Sequence, residues 1–147
     1  MPHLWFFAAL AAAALWGFSY AATGRILESG VPISIWLLSY AGAASAIYLA
    51  VALREGAFKS ARGIFSGDTN LCLLVGSSVL AAVLANFLIT YSISQKNATI
   101  ASLIEISYPF FTLFFAWLMF REVHLTMGTA AGAALVFVGI ALIYLKG

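Results

Sequence analysis

One acid departs from the pattern of this chain. Of seven basic and five acidic side chains, all but Glu105 fall in short gaps between long apolar runs or, for Lys146, after the last one. Glu105 lies inside the stretch Ala98–Phe120 (ATIASLIEISYPFFTLFFAWLMF). A carboxyl deep in hydrocarbon costs about 3 kcal/mol, so such residues usually face a bundle interior or an aqueous cavity and belong to a transport path. Helical neighbours recur every three or four residues. That spacing puts Thr99, Ser102, Glu105, Tyr108 and Thr112 on or near one face, with Phe110, Phe111, Phe114, Phe115 and Trp117 over much of the rest. Pro109 removes a backbone donor and frees a carbonyl about one turn earlier, near Glu105, which kinks the helix. Glu105 is thus a candidate for binding a polar substrate or carrying a proton. The competing role is a protonated carboxyl that only glues two helices by a hydrogen bond.

Weaker polar stripes occur elsewhere. Ser78, Asn86, Thr90 and Ser94 lie near one face of a third apolar run. The Asn86 amide, close to mid-span, needs a partner, either a substrate or a neighbouring helix. Trp16, Ser19, Tyr20 and Thr23 end the first run; its aromatic pair suits a substrate wall or an interface anchor. The last run contains Gly128 and Gly132 in a GxxxG pattern, with Ala131, Leu135 and Gly139 continuing that side. Small residues let helix backbones approach closely, against a neighbour in the same chain or in a second copy. Ser39, Gly42, Ala43 and Ala46 give the second run a similar face.

The elements that must position these residues follow from the charges. The chain has 147 residues, 64% hydrophobic and only 8% charged, whereas a soluble domain carries about 25% charge. The apolar residues come in blocks, which favours helices over a membrane barrel. Since about 20 apolar residues cross the hydrocarbon core, reading from charge to charge gives five spans: Leu4–Thr23, Ile33–Leu53, Leu71–Tyr91, Ala98–Phe120 and Leu125–Leu145. Breakers mark the gaps: Gly24, Gly30 and Pro32; Gly56, Gly63, Gly67 and Asp68; Ser94–Asn97; and Arg121–His124. In the longest gap, Ala57–Phe65 has the pattern of a short interfacial helix, Phe58 and Phe65 down, Lys59 and Arg62 up. A plain hydrated connector is the alternative.

Five crossings put the termini on opposite faces. One face receives Arg54, Lys59, Arg62 and Arg121, the other Arg25, Lys96 and Lys146. Four against three is almost no bias under the positive-inside rule, with a slight excess for an inside N-terminus. Such a chain suits insertion both ways, as an antiparallel pair, or one orientation set by the Arg54–Arg62 cluster.

Other chemistry is poorly supported. The scattered cations form no nucleic-acid stripe. Cys72, a single cysteine in an apolar run, makes no internal disulfide or metal cluster. His3 and His124 lack ligand neighbours at metal spacing, no phosphate-binding loop is present, and no serine sits in a nucleophile elbow. The sequence therefore points to no catalytic residue, no cofactor and no metal. The first run lacks the basic start of a signal peptide and is read as a retained helix.

Trp16-Gly17 late in the first span, Ser102–Thr112 (SLIEISYPFFT), and Arg121-Glu122 before the Gly-rich last span together resemble an EamA-type repeat of the drug/metabolite transporter superfamily. The likeness covers nearly the whole chain, residues 1–147 as a single domain, and is similar to the five-span, half-size members thought to act as pairs. It implies one half of an inverted-repeat transporter fold, with alternating access around a cavity lined by Trp16, Tyr20, Asn86, Glu105 and Tyr108. The four-span multidrug exporters of that superfamily carry their membrane glutamate in the first helix; here the acid is in the fourth. Proton-coupled export of cationic drugs does not simply transfer.

The expectation is therefore an all-α integral membrane protein, multi-pass in the bacterial inner (plasma) membrane. It would carry a small metabolite or drug-like solute across the lipid bilayer as a homodimer, antiparallel or otherwise, or with a paralogous five-helix partner, and without nucleic acid. The alternatives are a subunit of a lipid-linked sugar flippase and a non-transporting membrane scaffold.

Overall fold

A chain in hydrocarbon must satisfy its backbone polar groups internally, so long apolar blocks without alternation fold as helices. The computed structural model describes residues 4–65, 67–121 and 126–146, the side chains of 62–65, 129 and 146 excepted. The helices among these residues are α1 (Leu4–Glu28), α2 (Ile33–Glu55), α3 (Ala57–Phe65), α4 (Thr69–Gln95), α5 (Ala98–Glu105), α6 (Tyr108–Phe115) and α7 (Met127–Lys146). A π-helical segment, Ala116–Phe120, continues α6. Among the described residues there is no strand, and the protein is an all-α membrane protein. Four stretches are long and apolar enough to cross a membrane: Leu4–Glu28, Ile33–Glu55, Thr69–Gln95 and Ala98–Phe120. The fifth, α7, has 20 residues; at 1.5 Å per residue it reaches about 30 Å, the thickness of the hydrocarbon core.

The helix ends are built from the expected breakers. Ser29 Oγ donates to the Ile26 carbonyl (2.7 Å) and the Gly30 N–H to that of Leu27 (3.0 Å), closing α1. Gly56, at φ 66°, closes α2 by donating its N–H toward the Ala52 and Leu53 carbonyls. Both glycines have positive φ, a conformation that costs a side-chain-bearing residue more. Asp68 Oδ1 accepts from the Asn70 and Leu71 N–H groups (2.9 and 3.0 Å), which starts α4. Asn97 Oδ1 accepts from the Ile100 N–H (2.8 Å), which starts α5. Between Gly56 and Asp68, the nine residues of α3 are helical.

Several helices run past the expected spans: α2 ends at Glu55 and α4 covers Thr69–Gln95. The first helix does not stop at Thr23 but runs through Gly24 to Glu28. A glycine inside a helix weakens it but also lets another element come close, and that is its use here. The expected start of the fifth span, Leu125, lies outside the described residues, and α7 begins at Met127.

The contacts divide the chain into two units, Met1–Arg25 with Ser92–Gly147, and Ile26–Tyr91. In the first, Thr23, Ile93 and Ala101 are almost wholly buried. A Cβ placed on Gly24 would lie 3.4 Å from Ala98 Cβ and 3.9 Å from Ile93 Cγ2, so the α1 backbone nearly touches the corner between α4 and α5. In the second unit, α2 packs on α3 across the Gly56 turn. There Thr90 is buried, its Oγ1 donating to the Asn86 carbonyl (2.7 Å). The large apolar side chains stand outward: Phe18 is 76%, Leu38 69% and Leu135 72% exposed. Lipid tails are as apolar as leucine, so no solvent force gathers these side chains; close backbone approach holds the helices instead.

Gly24→Ala should therefore hold or slightly raise thermal stability in detergent, because a methyl there makes ordinary contact and alanine favours the helix. Gly24→Leu overpacks the corner and should cost about 1–3 kcal/mol, read as a lower melting temperature on size-exclusion thermal scans.

Candidate functional site

The fourth span is two helices in series. α5 ends at Glu105, Ile106 and Ser107 form a turn, and α6 starts at Tyr108 with Pro109 in its first turn. Proline has no N–H to offer the carbonyl of Glu105, four residues earlier. The Ile106 N–H donates to the Ser102 carbonyl and the Ser107 N–H to that of Ile104, both at 3.1 Å. The second of these is the tighter three-residue pattern common where a helix ends. Ile106 and Ser107 keep nearly helical angles (φ −58°, ψ −6° and φ −71°, ψ −13°), so the break changes hydrogen bonding more than direction. A hollow of about 30 Å³ lies against it, lined by Ile106, Ser107, Pro109, Phe110, Ala133, Val136 and Phe137. That volume matches one water molecule.

Glu105 is half-buried, as are Ser102 and Ser107; Thr99, Tyr108 and Thr112 are exposed. Ser102 Oγ donates to the Thr99 carbonyl (3.0 Å) and Thr112 Oγ1 to that of Tyr108 (3.1 Å). With those protons turned onto the backbone, both hydroxyl oxygens present lone pairs outward. Together with a carboxylate and the carbonyl released by Pro109, they make the stripe rich in acceptors. Such a surface fits a proton, a cation or an N–H-bearing group better than an anion.

Trp16 and Tyr20 occupy one face of α1, their ring centroids 5.5 Å apart at 37°. Trp16 is exposed, and Tyr20 half-buried. They belong to the same unit as Glu105. The contact of Gly24 with Ala98 sets their relative depth. Counted from it along each helix, Glu105 is about 10 Å away and Trp16 about 12 Å, at 1.5 Å per residue. In spans that cross in opposite senses, both counts run into the membrane the same way, so the acid and the aromatic pair share a level.

Asn86 belongs to the other unit. It is half-buried, and its Nδ2 donates to the Ala82 carbonyl of its own helix (3.1 Å), not to a neighbouring one. The glycines of α7 also behave differently from the tight contact at Gly24. A Cβ on Gly132 or Gly139 would meet nothing within 4 Å, and one on Gly128 would meet Thr126 Oγ1 at 3.8 Å. The side of α7 used within the chain is the alanine side, Ala130, Ala133 and Ala134 with Phe137, which faces Phe110, Leu113, Phe114 and Trp117. Phe110 and Phe137 stack edge to face at 4.7 Å. The sequence signal for that packing was the alternation of phenylalanine pairs in one run with an alanine-rich face in the next.

Arg121 ends the π-helical segment in the left-handed region, φ 58° and ψ 23°, with its N–H reaching the Ala116 and Trp117 carbonyls. An arginine in this place, where glycine is usual, costs about 1 kcal/mol. Its guanidinium carbon stands 5.3 Å from the Trp117 ring centroid, a cation–π contact. Glu122, His3 and His124 lie outside the described residues.

A model of the EamA-like transporter family matches residues 3–145, both units included. No curated protein and no solved structure matches the chain.

Pro109→Ala supplies the missing N–H to the Glu105 carbonyl and should fuse α5 with α6. Amide exchange at Ile106–Phe110 is then expected to slow about tenfold, the equivalent of about 1.4 kcal/mol, with exchange in α7 unchanged.

Proposed function

This chain belongs to the EamA-like transporter family, and from that premise we propose that it moves a small proton-coupled or amine-bearing solute across the plasma membrane, with Glu105 as the group that binds it. The observation that carries this reading is a half-buried carboxyl at the last residue of a helix that stops inside a membrane span and restarts three residues later. Discontinuous helices of this kind recur at transporter binding sites, where released carbonyls take part in holding ions. The acceptor-rich stripe Ser102–Glu105–Thr112 gives the charge preference. Trp16 and Tyr20, at matching depth, supply an aromatic wall on which a cationic group can rest.

The same stripe supports a pair. Tyr108 is 65% exposed, and Thr112 is exposed as well. In a lone copy their hydroxyls and one side of the acid would meet acyl chains. A second copy in the opposite orientation covers them and builds a cavity with two equivalent mouths, which is the geometry alternating access needs. The near balance of positive residues across the two faces permits both insertions. The open glycine side of α7, at Gly132 and Gly139, is free for the helix of such a partner to approach.

Counterflow of labelled amines, amino acids and neutral metabolites into liposomes tests the reading. An amine or amino acid should exchange, and Glu105→Gln should reduce its exchange by about a hundredfold, the loss of one charge-assisted contact of about 3 kcal/mol. Glu105→Asp should retain part of the rate. Equal counterflow by wild type and Glu105→Gln would remove the acid from the mechanism. Reporters fused to each terminus should both give mixed orientations; a single orientation would contradict the antiparallel pair.

A further inference from the structure

The groove between α6 and α7 has a wall residue, Trp117, with a charge beside it, and the transport reading above uses neither. Its volume is about 640 Å³, and Phe110, Leu113, Phe114, Trp117, Ala134 and Phe137 are among its walls. All eight residues that line it are apolar. Phe110 and Phe137, edge to face at 4.7 Å, join its two walls. From Phe110 to Trp117 it follows the helix for about 10 Å. Trp117 is the lining residue nearest the end of the fourth span, and the Arg121 guanidinium carbon stands 5.3 Å from its indole ring centroid. Arg121 closes the fourth span, so this end lies at the level of the headgroups, where tryptophan and arginine are at home. Among the described residues no carboxylate pairs with Arg121. Its left-handed backbone angle, unusual for a residue with a side chain, is the kind of local strain retained where a side chain must be aimed.

We propose that this groove is a binding site for one anionic phospholipid, an acyl chain lying along Phe110–Trp117 and the phosphate held by Arg121. The occupant follows from the two ends of the site. A groove with apolar walls inside a bilayer, lacking polar groups to hold water, takes hydrocarbon. Hydrocarbon alone gives no selectivity, because one acyl chain replaces another at no gain. Selectivity has to come from the headgroup, and a single arginine near the membrane surface favours an anionic over a zwitterionic lipid by about fivefold. Bidentate pairing to phosphate oxygens suits a guanidinium whose other face is already stacked on an aromatic ring. The π-helical segment Ala116–Phe120 has the wider turn that is frequent at functional sites, and here it carries both Trp117 and the step to Arg121.

The test is native mass spectrometry of delipidated protein titrated with phosphatidylglycerol and phosphatidylcholine in competition. Wild type should retain one phosphatidylglycerol in about fivefold preference. Arg121→Gln should bind either lipid equally, while Arg121→Lys, which keeps the charge, should retain part of the preference. Ala134→Phe fills the groove and should remove the retained lipid altogether, with the melting temperature checked to show that the variant is folded. An unaltered preference in Arg121→Gln overturns the proposal. So does a wild type that retains neither lipid while Ala134→Cys forms a disulfide-linked dimer in oxidised membranes, because a second copy would then occupy the groove.

Discussion

No water is present in the middle of a bilayer to repair an unmade hydrogen bond, and this single fact organises the molecule. It makes each span a helix, and it confines charge to the gaps. It also removes the force that packs soluble proteins. Few side chains among the described residues are buried, and those that are, Thr23, Thr90, Ile93 and Ala101, are small or slim. At the corner of α4 and α5, Gly24 and Ala98 leave room for α1 to come close. The same fact turns the Glu105 carboxyl and the carbonyl stranded by Pro109 into a matched set. Each is costly in lipid by itself, and their being adjacent concentrates that cost at one level of the membrane, where a bound solute or proton can offset it.

Much of the architecture is legible in the sequence, because the apolar blocks and the charges between them are long enough to override local preference. Gly30, Gly56, Asp68 and Asn97 all end or start helices, as their conformational freedom or side-chain oxygens dictate. Gly24, one of the breakers of the first gap, lies inside α1. Glycine is both a helix breaker and a close-contact residue, and only the neighbour it meets decides which. The extension of α1 to Glu28 depends on Ala98 and Ile93, distant in sequence. A break at Pro109 is legible from proline's missing donor; the turn at Ile106 and Ser107 and the π-helical winding from Ala116 have no such local signal.

The site is legible in part. The stripe through Glu105 is a property of spacing, and the structure adds the direction of its hydroxyl protons, which makes it a surface of acceptors. The level shared by Glu105 and Trp16 is set by a tertiary contact that no local pattern encodes. Asn86, marked by spacing alone, bonds to its own helix, as amides and hydroxyls often do when a carbonyl one turn back is within reach. The glycine pattern of α7 points to close packing without naming the partner; within the chain, Gly132 and Gly139 meet nothing close, and the alanine side lines the groove toward α6.

Cysteine accessibility measures whether Glu105 faces water or protein while its helix otherwise meets lipid. In a Cys72→Ala background, Glu105→Cys and Leu103→Cys would be exposed in membrane vesicles to a water-soluble maleimide. Leu103 is 41% exposed, two residues away on an apolar part of the same helix. Maleimide reacts with the thiolate, which forms only where water reaches, so position 105 should label about tenfold faster or more. Equal, slow labelling at both positions would put the acid in the acyl chains and contradict the account.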